Sequence, residues 1–229
     1  MIKLITLCFL IFFLISCKKK YTSNFKGKFR SQISIDHHAV SNSTRIIAIF
    51  HDADEPFYYG LGAPTPLKIR NRGYIKVNGI DLEWHESGGY FLDLKGKPTC
   101  TIEFKDHDGS VYRNTIAPPD TTYFVNFPDS VSSTGNFSFQ VSAPNLDSNE
   151  FSLIALDDDY YNDIHFWDYA GTDTIIEIED VGFYTSNFIT DGNHFMNLNR
   201  AKKMLNPNLP PGGGEIVYHY NLVQYFYIK

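Results

Sequence analysis

"YIKVNGIDLEW", residues 74–84, is the stretch that decides the fold. Tyr74 and Lys76 alternate with Ile75 and Val77, the period of two that sends successive side chains to opposite faces of a strand. Asn78 and Gly79 follow, a pair suited to the positive φ that a type I′ turn requires at both central positions. The spacing predicts a β-hairpin. "CTIEFKDHDGSVYRNTI", residues 100–116, repeats the pattern around Asp108 and Gly109. In it Cys100 shares the phase of Ile102 and Phe104, which marks it as a small core hydrophobe rather than a nucleophile.

Working outward, "KFRSQISI" (28–35) puts Phe29, Ile33 and Ile35 on one face, and "TRIIAIFHD" (44–52) is a more continuous apolar run suited to a central sandwich strand. A loop rich in Gly and Pro, "EPFYYGLGAPTPLK", separates them from the hairpin. At "IAPPD" (116–120) two prolines interrupt the pattern, since neither donates to a ladder and each restricts its predecessor. Beyond it "TTYFVNF", "GNFSFQVSA", "EFSLIALD", "DIHFWDY" and "DTIIEIED" read as further short strands. "HFMNLNRAKKMLNP" reads as one short helix ended by Pro207, "PPGGGE" as a flexible loop, and "EIVYHYN" with "LVQYFYIK" as a terminal pair of strands closing the second half.

Composition agrees: 16% of the chain is aromatic, with 19 Phe and 15 Tyr, residues that fit a half-buried pleated surface. The expected fold class is all-β, with two tandem immunoglobulin-like antiparallel β-sandwich domains, residues 25–118 and 119–229. Each is close to the roughly 100 residues of such a sandwich, although the Cys and Trp spacing of true immunoglobulin domains is absent. The formal net charge of −6 argues against a nucleic-acid partner.

The first residues carry a different signal. Leu4 to Ser16 is an uncharged run after Lys3, too short to span a bilayer core that needs roughly 20 apolar residues. A positive start, an apolar stretch and a small residue describe a secretory signal peptide. Leu14, Ile15, Ser16 and Cys17 resemble the lipobox of bacterial lipoproteins. That resemblance implies cleavage after residue 16, with Leu14, Ile15 and Ser16 as the signal-peptidase recognition residues and Cys17 as the lipidated first residue of the mature chain. Acyl chains on Cys17 would anchor the protein to a membrane, since each buried CH₂ contributes about 0.8 kcal/mol. Residues 17–24 become a basic tether. Loss of Cys8 with the leader and commitment of Cys17 to lipid leave Cys100 alone, so no intrachain disulfide is expected.

Tandem β-sandwich modules behind a lipobox resemble lipoproteins of Bacteroidota-type bacteria. The resemblance implies a cell-envelope protein at the outer membrane, because Lys18 is not the Asp that retains lipoproteins at the inner membrane. The basic "KKK" after the cysteine favours the periplasmic face over the cell surface.

No Gly-x-Ser-x-Gly elbow and no phosphate-cradling loop before a helix is present, so no catalytic residue is assigned. Tyr58 and Tyr59 in the Gly and Pro loop, and Trp84 and Trp167 near strand ends, are candidate ligand-stacking residues. Asp157, Asp158, Asp159 and Asp163 form a loop cluster of hard oxygen ligands of the kind Ca²⁺ takes, without the twelve-residue calcium-loop pattern. His37, His38 and His51 with Asp52 and Asp54 form the densest histidine group, but neighbours in a strand face opposite ways and zinc needs convergence. No cofactor other than that calcium is indicated. The leading expectation is an envelope binding or scaffolding protein for a glycan or an envelope protein. The alternatives are a hydrolase or metal-dependent enzyme using the loop carboxylates, and a structural accessory subunit.

Overall fold

The computed structural model describes residues 28–53, 66–69, 72–132, 135–142, 145–158, 165–167, 174–178 and 192–229. Among these residues the chain is all-β and has no helix. The first half holds β1 (Phe29–His38), β2 (Ser43–Asp52), β3 (Tyr74–Val77), β4 (Ile80–Asp81), β5 (Glu83–His85), β6 (Gly89–Lys95), β7 (Cys100–Lys105) and β8 (Val111–Ile116). The second holds β9 (Tyr123–Val125), β10 (Ser130–Val131), β11 (Phe137–Ser142), β12 (Glu150–Asp158), β13 (His165–Trp167), β14 (Thr174–Ile178), β15 (Gly192–Lys203) and β16 (Gly214–Ile228).

The hairpin forms as its turn chemistry dictates. Asn78 and Gly79 sit at φ 51° and 81°, and β3 pairs back on β4 through Val77 and Ile80. The Asn78 side chain also ties the turn to the next strand, donating to the Thr99 carbonyl at 3.1 Å and accepting from the Thr101 N–H at 2.8 Å. β7 and β8 pair antiparallel through the second anticipated turn, where Gly109 has φ 96°.

A nine-stranded sheet runs in the order β13, β12, β15, β16, β1, β2, β6, β5, with β10 beside the end of β16. Two small sheets complete the molecule: β4, β3, β7, β8 and β14, β11, β9. The result is sandwich-like. One core packs Ile35, Ile46, Phe50 and Tyr218 of the large sheet with Ile75, Val77, Cys100, Ile102 and Phe104 of the four-stranded sheet. The other packs Ile154, Met196, Leu198, Phe226 and Ile228 with Phe139, Val141, Ile176 and Ile178 of the three-stranded sheet. Burial of each such side chain contributes about 1.5–3 kcal/mol, and edge-on ring contacts such as Phe29 to Phe104 at 5.8 Å add to it.

One core draws mostly on residues before the "IAPPD" stretch and the other on residues after it, yet the first also takes Ile216 and Tyr218 and the large sheet spans both. β16 is the reason. It is a single strand of 15 residues rather than the anticipated terminal pair, and it lies parallel to β1 on one side and antiparallel to β15 on the other. Its first half gives Ile216 and Tyr218 to one core, and its last half gives Phe226 and Ile228 to the other.

Two further expectations are corrected. The stretch read as a short helix is most of β15, in which His194, Met196, Leu198 and Arg200 are buried on one face. Ladders to β12 and β16 on its two sides override the helix propensity of its Ala, Lys, Met and Leu residues. "PPGGGE" is also not a loose loop. A Cβ on Gly212 would come within 2.0 Å of the Phe29 carbonyl oxygen, and one on Gly214, at φ 138°, within 1.8 Å of that of Ser31. Only glycine admits this close approach, which delivers β16 into parallel register with β1.

Candidate functional site

Where the two cores meet, the inner face of the large sheet turns polar. Ser152, Arg200, Tyr220, His37 and Thr44 are successive partners on β12, β15, β16, β1 and β2, and all five are buried. The His37 ring stacks on Tyr220 at 5.8 Å, and its Nδ1 lies 3.0 Å from Thr44 Oγ1 and 3.1 Å from the Gly96 carbonyl. Lys97 Nζ sits 5.0 Å from the Tyr220 ring centre and donates to Thr121 Oγ1 at 2.7 Å. Burial holds His37 below its ordinary value, with the Lys97 charge acting in the same direction, and burial likewise lowers Lys97.

Arg200 completes this seam. Its guanidinium donates to Glu150 Oε2 at 2.5 Å and to the Asn145 carbonyl at 3.1 Å, while Lys202 pairs with Glu150 at 3.2 Å and Asp147 at 3.3 Å. Burial pushes Glu150 upward, but hydrogen bonds from Arg200, the Asp147 backbone and Lys202 outweigh it and hold the carboxyl below its ordinary value. Most of these groups are engaged with one another, and the exposed Asp120 lies 3.9 Å from the Arg200 guanidinium. Their chemistry is that of a joint between the two cores rather than of a reacting centre.

The outer face of the same sheet differs. Along β15 it presents Phe195, Asn197 and Asn199, and along β16 Asn221, Val223, Tyr225 and Tyr227. The Phe195 and Tyr225 rings lie 5.9 Å apart at 56°, and Tyr225 is 63% and Tyr227 43% exposed. Asn199 Nδ2 donates to Asn221 Oδ1 at 2.6 Å, and Asn197 Oδ1 has no partner among the described residues. Further along, Ile47, Ile49, Val217 and His219 border a shallow groove of about 260 Å³, with Phe151 edge-on to His219 at 6.4 Å. Burial lowers His219 against the opposing pull of Asp36 and Glu215.

Among the described residues the sequence-derived candidates are scattered, and of them Asp157 is paired into the row of this face, opposite Phe195. Leu14, Ile15, Ser16, Cys17, Tyr58, Tyr59, Asp159 and Asp163 lie outside the described residues. Asp157 and Asp158 belong to β12, paired with Phe195 and His194, which corrects their reading as loop residues. Trp84 is half-buried within β5, edge-on to Tyr90 at 5.1 Å with Lys68 Nζ at 5.4 Å from its ring centre. Trp167 pairs through its backbone with Ile154. His37 is buried and His38 exposed on the opposite face of β1, while His51 pairs with Arg30 at the far end of the β1–β2 ladder. Among the described residues no three His, Cys, Asp or Glu side chains converge as a metal ion would need. Cys100 is fully buried, and burial raises its thiol to about 11.

The outer aromatic strip escaped the sequence reading, although a signal was present. In "LVQYFYIK" aromatic residues occupy both phases of the strand, so one set had to face away from the core.

No family model and no curated protein matches the chain. A chain from a solved structure titled "Cytokine receptor complex - Crystal form 1A" aligns with 85% of this chain and 95% of its own length at 10% identity. Its TM-score is 0.25, too low to support an argument.

Proposed function

We propose that the chain is a lipid-anchored envelope protein whose role is binding or scaffolding, held at the periplasmic face of the outer membrane by acylated Cys17. The lipobox resemblance of Leu14 to Cys17 supports the anchor. The observation that carries the binding role is the exposure of Tyr225 and Tyr227 side by side on the outer phase of a strand whose other phase fills a core. Large apolar rings left in water on a regular sheet face are the mark of a contact surface.

Two measurements test this reading. Metabolic labelling with an alkyne-bearing palmitate analogue is expected to mark the wild-type chain and not Cys17→Ala; label that survives the substitution refutes the anchor. Photo-crosslinking in intact cells from a residue placed at Tyr227 is expected to capture an envelope component, and an unreacted chain at native abundance counts against the binding role.

A further inference from the structure

Resting on that envelope-binding reading, we propose that Phe195, Tyr225 and Tyr227, with Asn197, Asn199 and Asn221, form a binding strip for a neutral glycan. A pyranose offers an apolar C–H face and a rim of hydroxyls. Aromatic rings cover the first, and carboxamides, which carry a donor and an acceptor on adjacent atoms, pair with the second. The strip supplies both kinds of group on two adjacent strands, with the Phe195 and Tyr225 rings 5.9 Å apart. None of the six side chains is charged, in a chain where 20% of residues are, and Asp157, paired with Phe195 in the same row, disfavours an anionic ligand.

The state of the amides separates a glycan from an apolar protein face. Asn199 Nδ2 is committed to Asn221 Oδ1, which leaves Asn199 Oδ1 and Asn221 Nδ2 unengaged among the described residues. An apolar partner seated here would bury these groups unpaired, at about 1–3 kcal/mol each. A hydroxyl-rich ligand satisfies them. The length of the two paired strands also suits an extended chain of sugar rings.

The test is retardation of the full-length protein, in detergent micelles, through native gels cast with dextran, xyloglucan, galactomannan or laminarin, with heparin as the anionic comparison. At least one neutral polysaccharide is expected to retard the wild type, and heparin is not. Tyr225→Ala is expected to weaken that retardation roughly tenfold, the loss of one stacking ring, while Tyr225→Phe keeps it. Asn221→Leu weakens it to a similar degree. Because Tyr225 is largely exposed, its truncation leaves both cores filled, and an unchanged urea midpoint verifies this. Equal retardation of wild type and variants would move the glycan elsewhere, overturning the assignment but not the envelope-binding role. No retardation by any of the four neutral polymers overturns the glycan and leaves that role to the crosslinking result. Self-association abolished by Tyr225→Ala would make the strip a contact between copies, and the assignment would fall.

Discussion

Arg200, which has no exposed surface, donates to Glu150 Oε2 at 2.5 Å at the level of the sheet where one core ends and the other begins. The two residues stand on β15 and β12, diagonal to each other in the ladder, and Lys202, cross-strand partner of Glu150, takes its second oxygen. A buried charge in such a place depends on a close, equally buried counter-charge. Glu150→Ala is therefore expected to destabilise the fold by about 3–5 kcal/mol, because it removes the buried carboxylate from Arg200 and leaves the exposed Asp120, 3.9 Å away, in its place. Urea unfolding measures this, and a loss below 1 kcal/mol would mean that the pair is solvated. Arg200→Met combined with Glu150→Leu is expected to cost much less than Glu150→Ala, since both charges leave together.

The same seam makes stability depend on pH. The ordinary value of His37 is 6.5, and burial lowers it in the folded chain, so on acidification the unfolded chain takes up the proton first. Stability is thus complete above about pH 6.5 and is lost as pH falls toward the folded value of His37. His219, also lowered by burial, contributes in the same direction. Urea midpoints are expected to fall between pH 7.5 and 5.5, and His37→Gln to flatten part of that fall. The charged and titratable neighbours are Lys97 above the row, His38 beside it on β1, and Arg200 with Glu150 further along. A midpoint that rises on acidification would contradict the burial of His37.

Close approach of β16 to β1 predicts unequal costs for two glycine substitutions. Gly79→Ala meets only open space, so it carries the penalty of positive φ alone, about 1–2 kcal/mol. Gly214→Ala adds a backbone overlap with Ser31 that cannot relax without parting the strands. Thermal melts of the two variants are expected to separate clearly, with Gly214→Ala the less stable. Equal melting temperatures would show that the parallel register does not depend on that contact.

Cys100 supplies a probe of the first core. With its thiol raised to about 11, almost none is thiolate at pH 8, and no solvent reaches it. Iodoacetamide is expected to leave Cys100 unmodified in the native chain and to label it in denaturant; mass spectrometry reads both. Rapid labelling of native Cys100 would mean that this core opens readily.

The local grammar of the fold was legible in the chain. Asn78 and Gly79 specify their turn because positive φ is a property of those two residues in sequence, and Cys100, Ile102 and Phe104 face the core because a strand's alternation is fixed by its backbone. Likewise "HFMNLN" carried its period-2 pattern openly; what obscured it was the helix propensity of the residues after it, a preference worth tenths of a kcal/mol against two complete ladders.

Only the tertiary structure decided which strands meet. The pairing of β1 with β16 joins residues at opposite ends of the described chain, and no local property of Ser31 or Gly214 encodes it. That pairing turns two cores into the dependants of one sheet, gathers Arg200, Tyr220, His37 and Thr44 into a polar row, and leaves Phe195, Tyr225 and the asparagines on the face that neither small sheet covers. The physical reason is that alternation assigns each residue to a face, whereas the choice of covered face depends on packing free energy summed over both cores.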